Sequence, residues 1–151
     1  MPLLTPELKA TIGRQLPPAR AEVTRREICK YSVATGQRLQ RFIEGDEAPP
    51  MFLFGLFMPI LPRAQVGHDG LPPDSGLVPE LPLKRVMAGG TRQTWFRGIY
   101  PGDVLVSRQT LVDLFEKEGA QGPLIFAVVE NCVETEAGAP VMTERSTRIA
   151  R

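Results

Sequence analysis

The sequence predicts an α+β protein in which a curled antiparallel sheet wraps a central apolar helix. Three observations carry this expectation. The stretch Ala48-Pro49-Pro50-Met51-Phe52-Leu53-Phe54-Gly55-Leu56-Phe57-Met58-Pro59-Ile60-Leu61 is apolar on every side, and a helix without a polar face has to be buried all round. The chain beyond residue 83 has the composition and alternation of strands and almost no helix. Thr24-Arg25-Arg26-Glu27 spells a capping box and marks a helix start.

Taken in order, Thr5-Pro6-Glu7 opens a brief first helix, with Thr at the N-cap, Pro at the first position and an acid in the first turn. Gly13 suits its end. Residues 15–20 form a proline-bearing connector, and 21–23 a first short strand. The helix capped by Thr24 should run to about Thr35, with Gly36 as its left-handed cap. Val23 and Ile28 stand at the staple positions. Ile28, Tyr31 and Thr35 share the face that lies on something else. Residues 37–47 are polar apart from Phe42. The apolar helix follows, roughly nine residues or about 14 Å at about 1.5 Å per residue. Pro49 and Pro50 fit its first turn, and Pro59 and Pro62 stop it. Residues 62–82 form a long Pro/Gly loop, unusual in a compact domain unless it is a flap or an insertion.

Four strands should follow. Residues 84–99 contain Gly89-Gly90, a bulge or kink. Pro101-Gly102-Asp103 turns the chain into 104–115. Residues 116–123 read as a polar hairpin loop, 124–134 as a central strand rich in Val, Ile and Phe, and 141–149 as the strand that closes the sheet.

The 151 residues, 42% apolar and 23% charged, suit one domain, residues 1–151, with a core able to fold alone. A net charge of +1 and the lack of a basic run give no reason to expect nucleic acid. The apolar helix is too short for a membrane, which takes about 20 residues. The start lacks a signal-peptide pattern. Cys29 and Cys132 have no metal-ligand spacing and read as reduced residues in or near the core of a cytoplasmic protein.

The most specific run is Leu81-Pro82-Leu83-Lys84-Arg85-Val86-Met87-Ala88-Gly89-Gly90-Thr91, followed by Trp95-Phe96-Arg97 and Pro101-Gly102-Asp103. It resembles the MaoC-like dehydratases, which carry L-P-R-R-M-W-A-G-G, a strand, and P-x-x-x-G-D. Within them it is similar to the N-terminal half of the double-hot-dog mesaconyl-CoA hydratases and type 2 hydroxyacyl-thioester dehydratases. Gly67-His68-Asp69-Gly70-Leu71-Pro72 resembles their proline-rich lead-in. The resemblance covers nearly the whole chain. It implies a hot-dog fold and reversible addition of water across the α,β double bond of an acyl thioester, giving an (R)-3-hydroxyacyl product. In the family an Asp and a His after the approach helix activate the water. Backbone N–H groups at the start of the central helix polarise the thioester carbonyl. No cofactor is implied; the substrate is a thioester of coenzyme A or acyl carrier protein.

The resemblance fails at the decisive place. The catalytic half carries G-D-x-N-P-x-H, whereas this chain has Gly36-Gln37-Arg38-Leu39-Gln40-Arg41-Phe42. Gln37 stands in the Asp position and Phe42 in the His position. An amide has no useful basicity near neutral pH, and a phenyl ring cannot take a proton. Pro49 and Pro50 also remove two N–H groups from the helix start. No catalytic residue is expected on this chain.

Expected substrate contacts are Met51, Phe52, Phe54 and Phe57 as tunnel lining, Gly89 and Gly90 for close approach of the thioester arm, and Arg92 toward a phosphate. Arg85 and Arg97 are candidates of the same kind. Each has a plainer reading: the phenylalanines as core, the glycines as a bend, the arginines as surface charge. His68, the only histidine, reads either as a base or as an exposed turn residue, and Asp69 and Asp74 as acids or turn formers. A hot-dog thioesterase would need a carboxyl group on the central helix, and residues 48–61 have none. Two functions are then expected: a non-catalytic subunit joined to a catalytic MaoC-like hydratase subunit, or a homodimer that binds acyl-CoA or scaffolds another enzyme.

Overall fold

The computed structural model describes residues 2–151. Helix α1, Pro6–Lys9, is capped by the Thr5 hydroxyl, which accepts from Leu8 N–H at 3.3 Å. It ends earlier than Gly13, whose N–H instead donates to Leu111 O at 2.8 Å. Strand β1 is Ala19–Glu22 and helix α2 is Arg25–Ala34. The Thr24 hydroxyl accepts from Glu27 N–H at 3.2 Å and donates to the Glu27 carboxyl at 2.7 Å, so the capping box closes through its side chains. At the other end Gly36, at φ +67°, donates to Val33 O, and Gln37 N–H reaches back to Ser32 O at 2.9 Å. That pair of bonds is a Schellman cap. The buried face of α2 carries Ile28 and Ser32, with Tyr31 half-buried and Thr35 exposed.

A four-residue helix, α3 (Gln40–Ile43), lies where the sequence suggested only polar connection; its Phe42 is buried. The apolar stretch then gives helix α4, Phe52–Leu56. It is shorter than expected. Pro49 and Pro50 precede it, and the bonds Phe52 N–H to Pro49 O (2.9 Å) and Phe54 N–H to Met51 O (3.1 Å) wind the entry as a tight i→i+3 turn. Its all-round burial is also corrected. Phe52 and Leu53 are buried, but Phe54 is 66% exposed and Met51 54%. Five residues cover only part of a sheet whose strands reach sixteen residues.

The remaining strands are β2 (Val86–Trp95), β3 (Val104–Gly119), β4 (Gly122–Thr135) and β5 (Pro140–Ala150). All neighbours are antiparallel in the order β1-β3-β4-β5-β2. The expected loop over 116–123 is paired strand almost to its tip, Glu118 facing Pro123 and Gly119 facing Gly122. Lys117 there lies 5.4 Å from the centroids of the stacked rings of Phe115 and Phe126, a cation–π contact across the hairpin. The Gly89-Gly90 bulge is present: the β2–β5 register shifts between Ala88 and Gly90. A Cβ on Gly89 would sit 2.8 Å from Ile149 Cγ1, so a glycine there lets β2 pack against the Ile149 side chain.

Two apolar clusters hold the sheet. One joins Val23, Ile28 and Phe52 to Leu105, Val133 and Val141; the staple pair therefore lies in the core. The other joins Leu4 and Leu77 to Leu111, Leu114, Ile125 and Ala127. Each large side chain fully buried in them stabilises the fold by about 1.5–3 kcal/mol. Cys29 is half-buried, whereas Cys132 is exposed, correcting its expected place in or near the core; β4 alternates, and Cys132 takes the parity opposite to buried Val133.

Candidate functional site

Because α4 is short, the concave sheet face is only partly covered. Between that face, α4 and the segment 63–78 lies a cavity of about 1050 Å³. Its apolar wall comes from Met51, Phe54, Phe57 and Met58 on one side and Leu71 and Pro72 on the other. Its floor is the sheet, where every second residue of β5 points inward: Met142, Glu144, Ser146 and Arg148.

The covering segment begins with a 3-10 turn, Arg63–Gln65. It is tied down at several points. Leu77 is buried in the second apolar cluster. Arg14 Nη1 donates to Gly76 O at 2.9 Å, and Arg148 pairs with Asp74 at 3.7 Å. Asp69 and Asp74 form turns: Asp69 Oδ1 accepts from Leu71 N–H at 3.1 Å, and Asp74 Oδ1 from Gly76 N–H at 2.9 Å. His68 lines the rim of the cavity and is exposed. It makes no ion pair with a carboxyl group among the described residues.

The structure thus brings Met51, Phe54 and Phe57 together at the cavity. Phe52 is elsewhere: it is buried against Tyr31, ring centroids 5.7 Å apart and edge to face. Gly89, Gly90 and Arg92 lie on exposed β2, at the sheet edge and outside the cavity lining. Arg92 faces Arg145 across the strand pair. Gln37 and Phe42 also lie outside the lining. The Gln37 amide donates to the Thr35 hydroxyl at 3.3 Å, and the Arg41 guanidinium covers the Phe42 ring at 4.7 Å.

Residues that the sequence reading did not single out line the floor: Gln93, Gln109, Asn131 and Glu144. The available signal was parity, since Glu144, Ser146 and Arg148 share the strand face of buried Met142. No three His, Cys, Asp or Glu side chains converge as a metal site among the described residues. No helix there is long and apolar enough to cross a membrane.

The fold is that of known hot-dog proteins. One chain of the ChsH1-ChsH2 complex from Mycobacterium tuberculosis superposes with a TM-score of 0.67 at 19% identity, over 95% of this chain and 86% of that one. The HadBC (3R-hydroxyacyl-ACP dehydratase) complex from the same organism gives 0.67 at 16%, over 93% and 97%. A MaoC-like dehydratase from Rhodospirillum rubrum gives 0.58 at 14%, over 92% and 91%. In sequence, the chain is 28% identical over 108 residues to mesaconyl-C(4)-CoA hydratase of Chloroflexus aurantiacus, a match covering 62% of this chain and 39% of that protein. Residues 10–144 match the family described as FAS1-like, dehydratase domain region, and over that span the chain belongs to it.

Proposed function

We propose that this chain is the non-catalytic subunit of a heteromeric MaoC-like enoyl-CoA hydratase or (R)-3-hydroxyacyl-thioester dehydratase. It walls the acyl tunnel and stabilises a partner that carries the Asp/His loop. The observation that supports this most is the turn after α2. Gln37 is occupied in closing the helix, and Phe42 is a core residue under Arg41. Neither group can take or give a proton to water. The reaction needs no redox partner, only a held water and a proton acceptor, and both would come from the second chain. The substrate would be an acyl thioester of coenzyme A or acyl carrier protein, its acyl group in the cavity beside Met51, Phe54 and Phe57.

The surface favours assembly. Met51 and Phe54 are exposed beside the cavity and Ile60 is fully exposed, and apolar groups clustered this way are commonly covered by a partner. Edge strand β2 presents Val86 and Met87 to solvent, and an open edge is a template for pairing. The relatives with two differently named components support a hetero-complex over a lone chain.

Sedimentation of this chain, alone and co-expressed with a hot-dog chain carrying D-x-N-P-x-H, tests the reading. The expected result is a stable complex of the two chains. A homodimer that ignores the second chain would favour the other reading, an acyl-CoA-binding or scaffolding dimer.

A further inference from the structure

We propose that a polar row across the concave sheet face makes the cavity selective for acyl groups that carry a hydroxyl beyond C3, the carbon at which the family's reaction places one, with Glu144 as the acceptor and Asn131 as the donor. This rests on the cavity being the acyl tunnel.

Gln93, Glu144, Asn131 and Gln109 are successive cross-strand partners on β2, β5, β4 and β3, and all four line the cavity. The row separates the two apolar clusters. Trp95, Met142, Val133 and Leu105 lie toward one end of the strands, and Leu111, Val129, Ala127 and Ala150 toward the other. A sheet face that served packing alone would be apolar straight through. Polar groups set inward cost stability unless something polar meets them.

The bonds within the row leave a defined remainder. Gln93 is fixed at both ends: its Nε2 donates to Glu144 Oε2 at 2.6 Å and its Oε1 accepts from Trp95 Nε1 at 3.3 Å. Asn131 Oδ1 accepts from the Ser107 hydroxyl at 2.7 Å. Glu144 therefore keeps its second oxygen as an acceptor, and Asn131 keeps its amide N–H donors, on directly paired positions. An adjacent donor and acceptor match a hydroxyl, which both accepts and donates. A saturated chain would satisfy neither. A carbonyl would use only Asn131. A terminal carboxylate would meet Asp69, Asp74 and Glu144 against the single arginine Arg148, which already pairs with Asp74. At about 1050 Å³ the space lies just above the range of about 300–1,000 Å³ common for small-molecule sites, room enough for a bulky or long acyl group.

The test is calorimetric titration of the full chain with decanoyl-CoA and with its monohydroxy congeners, the hydroxyl placed at successive carbons from C4 onward. At least one congener is expected to bind about tenfold tighter than decanoyl-CoA, the worth of one hydrogen bond to a charged or strongly polar group. Glu144→Leu should abolish that preference, so that no hydroxy congener binds tighter than decanoyl-CoA. Glu144→Gln, which keeps shape and one acceptor, should reduce the preference to about threefold. Equal binding of decanoyl-CoA and every congener overturns this inference and leaves the acyl tunnel standing. No binding of any thioester overturns both. A preference untouched in both variants assigns the row to folding and overturns the inference as well.

Discussion

One guanidinium nitrogen of Arg97 lies 3.0 Å from each carboxyl oxygen of Asp103, so the arginine locks the turn that carries the chain from β2 to β3. The same carboxyl group accepts from Tyr100 N–H at 2.8 Å, and the guanidinium lies over the Tyr100 ring at 5.5 Å. Arg97 was a candidate phosphate contact on sequence grounds; here its charge is already used, and its side chain is mostly covered. Asp103→Ala should cost about 2 kcal/mol, the usual worth of hydrogen bonds to a charged group with one partner left behind. The midpoint of urea unfolding measures it, and an unchanged midpoint would deny the pair that role.

Two glycines separate backbone strain from close packing. Gly36 has φ +67° and open space where a Cβ would stand; Gly45 has φ +75°, and its Cβ would lie 2.8 Å from Arg25 O and 2.8 Å from Cys29 Sγ. Gly36→Ala should cost about 1 kcal/mol from the left-handed conformation alone. Gly45→Ala adds a collision with backbone that cannot step aside, and should cost about 2–3 kcal/mol. Equal losses in the two variants, read from denaturant midpoints, would contradict the packing seen between α2 and α3.

The N-terminal segment is held by an acid. Glu116 accepts from Leu4 N–H at 2.5 Å and Leu3 N–H at 3.1 Å, and these backbone bonds, that to Leu4 foremost, hold its carboxyl below the usual carboxylate range. A lowered folded pKa contributes stability that is present above the unfolded value of about 4.3 and is lost as pH falls through the folded one. Protection of the Leu3 and Leu4 amides from exchange, measured against the intrinsic rate, should therefore fall on acidification below about pH 4.3. Glu116→Gln should remove most of that pH dependence. Exchange insensitive to pH in wild type beyond the intrinsic rate would refute the clamp.

What the sequence carried was local. Thr24, Val23, Ile28 and Gly36 announced α2 and both its caps because capping chemistry depends on residues a turn apart. The strands and the Gly89-Gly90 bulge were legible through alternation and through a residue type that tolerates the kink. The hidden part is what depends on partners far along the chain. The breadth of the concave face decides whether the apolar stretch is buried all round, and no residue of 48–61 states that breadth. Phe54 is exposed for that reason. The polar floor was equally hidden, since Gln93, Asn131 and Glu144 look like ordinary strand polar residues until register aligns them. Phe52, expected in the tunnel, belongs to the core because its helix face turns toward Tyr31.

The central claim is that this chain supplies shape while a second chain supplies the proton acceptor. Its most direct test is the loss of enoyl absorbance of crotonyl-CoA and longer 2-enoyl-CoA thioesters with the purified chain, with a hot-dog chain bearing D-x-N-P-x-H, and with both together. The lone chain is expected to match the buffer blank, and the mixture to exceed the second chain by itself. Turnover by the lone chain that disappears in His68→Ala would place the reacting base at the cavity rim and contradict the account.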